Sequence, residues 1–196
     1  MTVRVVLIAA LAAVLVASPA QGAGSKSLLV VGDSLAVGTK PYLGHYLPGW
    51  HVTTSATISR HAPEGPGVMS RFGKHLPRVI FVNLGTNDSP EAIGQFLSAL
   101  RRVMDVAGPA RCVVWADIVR PPVGGVSYSG INHALSVQAA KRRNLIKFKW
   151  KKLANRHRGW FGPDGVHPTA TGYQVRAKAM AHNIRVCRKL TLRRTG

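Results

Sequence analysis

Ser27-Leu28-Leu29-Val30-Val31-Gly32-Asp33-Ser34-Leu35 is the stretch on which the reading of the fold turns. Ser27 to Val31 is a compact apolar run, too short for a helix and suited to a strand buried on both faces. Gly32 ends the run and lets the chain turn sharply. Asp33 and Ser34 then stand ahead of Leu35 to Leu47, a helix-length segment made imperfect by Gly38 and Pro41. Both are favoured at helix N-termini, so an ordinary cap is one reading of the pair. A Ser hydroxyl presented among unpaired backbone N–H groups at the end of a strand is the other.

Downstream segments repeat this strand-then-helix rhythm. Trp50 to Thr54 is short and β-branched, which predicts a second strand, and Gly67 to Leu76 is a short helix before Pro77. Arg78 to Leu84 (RVIFVNL) is the strongest strand pattern in the chain. A helix opens near Pro90, runs to Ala107 and stops at Gly108-Pro109. Arg111 to Ile118 predicts the fourth strand. A loop rich in Pro and Gly (Pro121 to Gly130) and a helix over Ile131 to Arg143 follow. Leu145 to Trp150 alternates apolar residues with Lys147 and Lys149, as an edge strand with one solvated face does. Lys151 to His157 and Thr171 to Arg188 complete the helices. The prediction is an α/β chain, a flavodoxin-like three-layer sandwich with a central parallel five-stranded sheet and the last strand at one edge. Sites in such sheets gather beyond the carboxyl ends of the strands.

Ahead of this unit, Arg4 precedes an unbroken apolar run from Val5 to Ala17. As a helix that run would span roughly 20 Å, short of the ~30 Å hydrocarbon core of a bilayer. Pro19 breaks it, and Ala20-Gln21-Gly22 offers small residues for cleavage, so residues 1–22 read as a secretory signal peptide. The remainder reads as one domain over 24–188 and a basic tail over 189–196. Export implies a secreted, periplasmic or envelope location without a membrane span. Cys112 and Cys187 are the only cysteines. In an oxidising compartment they suggest one disulfide, the alternative being two buried free thiols. Neither these cysteines nor the 8 histidines show the spacing of a metal site.

Three polar clusters fall at strand ends or in a late loop. Gly32-Asp33-Ser34-Leu35 supplies a hydroxyl. Gly85-Thr86-Asn87-Asp88 follows the third strand and supplies a side-chain amide donor, unless it is only a Gly/Asn/Asp turn. Asp164-Gly165-Val166-His167-Pro168 places a carboxylate three residues before an imidazole across a Gly-permitted turn. There the carboxylate can accept the Nδ1–H and leave Nε2 free to take a proton from a serine. Each cluster is weak alone. Together they provide nucleophile, oxyanion donor, and base with its orienter.

In this order and spacing the three clusters resemble the SGNH (GDSL-like) hydrolase family, over essentially the whole chain after residue 22. The resemblance implies that Ser34 attacks an ester carbonyl, that His167 is general base and then acid, and that Asp164 orients it. It implies an oxyanion hole of Asn87 and the Ser34 backbone N–H, with Asp33 and Gly85 supporting. It also implies acyl hydrolysis or transfer without a cofactor. In one block the chain departs from the family, whose usual glycine is replaced within Ala56-Thr57-Ile58-Ser59-Arg60. Ser59 falls near that glycine's place, and its backbone N–H is expected to fill the third oxyanion position.

Charge bears on partners. The chain carries 27 Lys+Arg against 7 Asp+Glu, a formal net charge of +20. Cations crowd its later half, including Lys141-Arg142-Arg143, Lys151, Lys152, Arg156 and Arg158. A surface so basic attracts polyanions. One reading is a solvated face, a second is attachment to an anionic envelope polymer, and a third is nucleic acid. Export and the absence of a recognised motif disfavour nucleic acid. No Gly-x-Ser-x-Gly elbow and no Walker-type phosphate loop is present. The expectation is a monomeric secreted serine esterase acting on a small-molecule or carbohydrate ester, with acetylated carbohydrate preferred and Tyr128 a candidate substrate contact. The alternatives are an acyltransferase of the same type and a non-catalytic basic protein bound to the envelope.

Overall fold

A computed structural model describes residues 26–192. The signal-peptide reading of residues 1–22 and the last four residues of the basic tail lie outside them. Five strands form one parallel sheet: β1 (Ser27–Gly32), β2 (His51–Ala56), β3 (Val79–Asn83), β4 (Cys112–Ala116) and β5 (Leu145–Phe148). Their spatial order is β2-β1-β3-β4-β5, the flavodoxin-like order, with β5 at one edge. Residues of β1, β3 and β4 are buried on both faces, which is why they read as continuous apolar runs rather than as alternation.

Helices cover both faces. Leu28 and Val30 of β1 point into a core shared with α1 (Ser34–Tyr46), α5 (Trp150–Ala154) and α6 (Ala170–Leu192). Leu29 and Val31 point the other way, toward α2 (Gly65–Ser70), α3 (Ile93–Ala107) and α4 (Ser129–Lys141). The chain changes face between α1 and α2, so the order reverses between β1 and β3. That is where a doubly wound sheet opens a crevice at its carboxyl edge. Cys112 on β4 and Cys187 on α6 form a disulfide that ties the last helix to the sheet. Closing a 75-residue loop is worth about 4 kcal/mol in the chain-entropy account.

Several boundaries differ from the sequence reading. The segment predicted as one helix over Gly67 to Leu76 divides into α2 and a 3₁₀ turn at Gly73–His75, with Gly73 at positive φ. Pro90 lies in the turn before α3, not in its first turn. α4 starts at Ser129, so the last residues assigned to the loop are helical. α5 is shorter than predicted. α6 runs on to Leu192, past the expected start of the tail at 189. The solvated face predicted for β5 is the main correction. α4 covers the face carrying Lys147, whose ammonium donates to Ser136 Oγ at 2.7 Å and pairs with Asp117 at 3.5 Å. Lysine alternation marks an open face only where nothing satisfies the charge beneath it.

Candidate active site

Ser34 is the first residue of α1 and follows β1 by one residue. Asp33 takes the capping duty: its carboxylate accepts the Leu35 N–H at 2.9 Å. Capping therefore does not occupy the Ser34 hydroxyl, which lies 2.8 Å from His167 Nε2. Of the two readings of Asp33-Ser34, cap and presented hydroxyl, each residue takes one.

His167 stands in a closed turn before α6. The Gly162 N–H donates to the His167 carbonyl at 2.8 Å, and the Gly165 N–H to the Gly162 carbonyl at 3.0 Å. Gly165 has φ +64°, in the left-handed region where a side chain would be strained. This turn folds Asp164 back on the imidazole. Oδ1 accepts the backbone N–H groups of Val166 (2.9 Å) and His167 (3.0 Å), and Oδ2 lies 2.6 Å from His167 Nδ1. The hydrogen bond from the His167 ring, followed by the two backbone N–H groups, pulls the Asp164 pKa down to about 2. An ionised Asp164 is an acceptor only, so Nδ1 carries the proton and Nε2 is left to accept from Ser34.

Asn87 follows β3 in a loop whose Gly85 has φ +114°. A side chain at Gly85 would press on Ile118 and Phe96. Asn87 Nδ2 donates to the Arg60 carbonyl at 3.2 Å, using one of its two N–H bonds. Ser34, Asn87, Asp164 and His167 line one cavity of about 330 Å³, at the low end of ligand-site sizes. Pro121, Pro122 and Val123 of the Pro/Gly-rich loop form another wall.

Ser59 does not line this cavity. It occupies the third position of a turn closed by the Arg60 N–H on the Thr57 carbonyl, and its φ is +61°. Among the described residues it alone, apart from glycines, has positive φ. A glycine is the low-strain residue there. Arg60 holds the turn in place, donating to the Ser55 carbonyl (2.6 Å) and to Thr57 Oγ1 (2.8 Å).

Tyr128 does not line the cavity beside Ser34 but, largely buried, forms part of the wall of an adjoining cavity that shares Arg120, Pro121 and Pro122 with it. Its hydroxyl donates to the carbonyls of Asp88 (2.9 Å) and Thr86 (3.3 Å), bracing the loop that carries Asn87.

Three features escaped the sequence reading. Arg120 reaches into the cavity, its guanidinium fixed on the Thr86 carbonyl at 2.5 Å. Beneath Ser34 lies a buried charged layer. Asp33 accepts from Asn83 Nδ2 at 2.6 Å, Asn83 Oδ1 accepts from Arg176, and the Arg176 guanidinium lies 4.9 Å from the Trp150 ring centre. Burial raises the Asp33 pKa and lowers that of Arg176 to about 10, each opposed by the attraction of the other charge. Arg176 stands on the apolar stripe of α6 with Ala177, Met180, Ala181 and Ile184, and that misplaced charge is the signal that marks it. Third, His61 Nδ1 lies 2.9 Å from Asp88 Oδ1, a second imidazole–carboxylate pair.

Among the described residues, no three His, Cys, Asp or Glu side chains gather as a metal site, and no helix is long and apolar enough to cross a membrane. No protein-family model matches the chain, nor does any curated protein. Solved structures do. The C-terminal catalytic domain of Streptococcus pneumoniae peptidoglycan O-acetyltransferase A, solved with a methylsulfonyl adduct, superposes with a TM-score of 0.70 at 18% identity, over 84% of this chain and 96% of that one. A Clostridium thermocellum family 3 carbohydrate esterase gives 0.68 at 17% identity, over 85% and 99%. A member of the lipolytic G-D-S-L family from Veillonella parvula gives 0.65 at 15%, over 80% and 96%. The five-stranded sheet, its helical layers and its connectivity are those of the SGNH (GDSL-like) hydrolase fold.

Proposed function

We propose that this chain is an exported serine esterase that removes an acyl group, with O-acetyl on carbohydrate or an envelope polymer the preferred class. Ser34 is the nucleophile, His167 the general base and acid, and Asp164 the orienting carboxylate. One observation carries the reading: a continuous line of short contacts, Ser34 Oγ to His167 Nε2 at 2.8 Å and His167 Nδ1 to Asp164 Oδ2 at 2.6 Å, at the wall of a cavity. Ser34 Oγ attacks the ester carbonyl carbon as its proton passes to Nε2. The alcohol leaves with that proton, and a water activated in the same way releases the acid and restores Ser34. The second N–H of Asn87 and the backbone N–H of Ser34 stabilise the oxyanion; Ser59, outside the cavity lining, is a third donor only if its turn moves toward Ser34. A donor of this kind is worth about 2.7–4 kcal/mol at the transition state.

Export rests on the apolar run Val5 to Ala17 and its Ala20-Gln21-Gly22 end, supported by the disulfide, which persists in oxidising compartments. The carbohydrate preference draws on the likeness to a carbohydrate esterase and to a peptidoglycan O-acetyltransferase domain. Transfer to a second alcohol in place of water is the other reading, favoured by the exposed His167 and Asp164, which leave room for an acceptor.

The test is turnover of p-nitrophenyl acetate by the protein lacking residues 1–22, beside its Ser34→Ala variant. The expected loss is roughly 10⁴- to 10⁶-fold in kcat. Equal rates would remove the esterase reading. Adding a sugar alcohol and measuring acetyl sugar against acetate separates transfer from hydrolysis.

A further inference from the structure

A second cavity, of about 350 Å³, lies against the first and shares Arg120, Pro121 and Pro122 with it. The His167 turn divides the two. Asp164, Val166 and His167 line the first, whereas Gly165 lines the second and packs on Pro121. The second cavity is lined by three cations, Arg120, Lys151 and Arg158, with Asn155 and Ser127 as further polar groups and no carboxylate. Among the described residues, none of the three cations has a salt-bridge partner. The nearby Asp117 carboxylate is already spent: it accepts the Lys151 backbone N–H at 2.7 Å and pairs with Lys147 at 3.5 Å. Asp164 is committed to His167 and two backbone N–H groups on the other side of the turn.

We propose that this second cavity is an anion subsite, which takes a carboxylate or phosphate group carried by the alcohol part of the ester while the acyl group lies at Ser34. The inference rests on the esterase reading and narrows its substrate to acylated molecules that bear an oxyanion near the ester. Like charges drawn together without counterions repel one another, and an oxyanion bound among them relieves that repulsion. Arginine presents planar N–H pairs that match carboxylate and phosphate alike, so the shared chemistry is the oxyanion. Arg120 is the hinge of the arrangement. Its anchoring on the Thr86 carbonyl sets it on the wall common to both cavities, within the loop system that carries Asn87. The net charge of +20 draws anionic molecules to the whole surface. This cluster adds a place beside the triad where one such group is held.

The experiment compares three acetyl esters of one sugar: O-acetyl glucose, O-acetyl glucuronate and O-acetyl glucose phosphate. Wild-type protein is expected to show a kcat/KM for a charged ester about tenfold or more above that for the neutral one, through KM, and this preference falls as salt rises. The glucuronate and phosphate arms say which oxyanion is preferred. In Lys151→Gln/Arg158→Gln the charged-to-neutral ratio falls about tenfold. Arg101→Gln/Arg102→Gln on the exposed face of α3 removes the same charge elsewhere and leaves that ratio at the wild-type value. If the Lys151/Arg158 variant keeps the wild-type ratio, or the α3 variant loses it equally, the subsite is overturned. Failure of the esterase reading looks different: no ester is turned over above the Ser34→Ala rate. Calorimetric binding of glucuronate or glucose phosphate to the Ser34→Ala protein then still reads the subsite, with binding weakened by the Lys151/Arg158 changes expected and unaltered binding counting against it.

Discussion

Two histidines in this molecule each hold a carboxylate through Nδ1, His167 with Asp164 at 2.6 Å and His61 with Asp88 at 2.9 Å. As pairs they are nearly alike; their surroundings differ. Asp164 and His167 are both open to solvent, with side chains 50% and 47% exposed, and Ser34 Oγ closes the line on the far ring nitrogen. Asp88 is buried, its side chain 4% exposed, and it also accepts the Ala62 backbone N–H, while His61 has no hydroxyl opposite it. The second pair is a structural clasp: it ties the turn after β2 to the loop after β3, and the Arg60 carbonyl accepts from Asn87 in the same span. In the mechanism proposed above, a His–Asp pair becomes a base through the third group it faces, and Ser34, supplied from the end of β1, makes the difference.

The largest expected effect separates the two imidazoles. His167→Ala should lower kcat/KM on p-nitrophenyl acetate by roughly 10⁴-fold or more. His61→Ala should change it by less than about tenfold, because its ring lies outside the line of proton transfer. Comparable losses from both would mean that the His61 pair takes part in the chemistry and would break the distinction.

Next come the carboxylates. Asp164→Asn keeps a polar group beside Nδ1 but no longer dictates which nitrogen carries the proton, so kcat should fall by roughly 10³- to 10⁴-fold. Asp88→Asn should instead cost stability, about 1–3 kcal/mol for an impaired buried acceptor, read as a lower urea midpoint at unchanged slope. The pH behaviour of Asp164 sharpens the point. Its folded pKa, about 2, lies below the ordinary 3.8, so its ionised form is favoured in the folded state. The stability it contributes is present above pH 3.8 and lost as pH falls through about 2. A carbon-detected titration of the Asp164 carboxyl should therefore show a midpoint more than a unit below 3.8. A midpoint at 3.8 or higher would mean that the pair does not persist in solution.

The contrast between the pairs also explains what could be read from the chain. Asp164 and His167 are three residues apart, and a Gly between them announces the turn, so local chemistry exposes the pair. His61 and Asp88 are 27 residues apart and meet only because β2 and β3 flank β1 in the sheet. No local pattern carries that information. The sheet itself was legible because β1, β3 and β4 are buried on both faces and leave unbroken apolar runs. Helix ends were less so, since tertiary contacts decide them: α6 gains a further turn, and the Gly67 to Leu76 segment breaks where Gly73 adopts positive φ. Lys147 and Arg176 misled or escaped for the same reason. Each is a charge that meets groups distant in sequence: Lys147 pairs with Asp117, and Arg176 donates through one nitrogen to Asn83 and feels the charge of Asp33.

The smallest effect concerns the turn that joins the clasp to the site. Ser59 holds φ +61°, a conformation that costs a residue with a side chain roughly 1 kcal/mol relative to glycine. Ser59→Gly relieves that strain, but the added freedom of glycine in the unfolded chain offsets part of the gain. The net stabilisation should be no more than about 1 kcal/mol, seen as a slightly higher urea midpoint. If the Ser59 N–H serves the oxyanion, the glycine keeps that donor, and kcat should stay within about threefold of wild type. Ser59→Pro removes the N–H and requires a negative φ, so it should lower kcat by about a hundredfold or more and destabilise the turn as well. Activity that survives the proline would place the third oxyanion donor elsewhere. The turn would then belong with His61 and Asp88 as structure, leaving Ser34 and Asn87 to carry the developing charge.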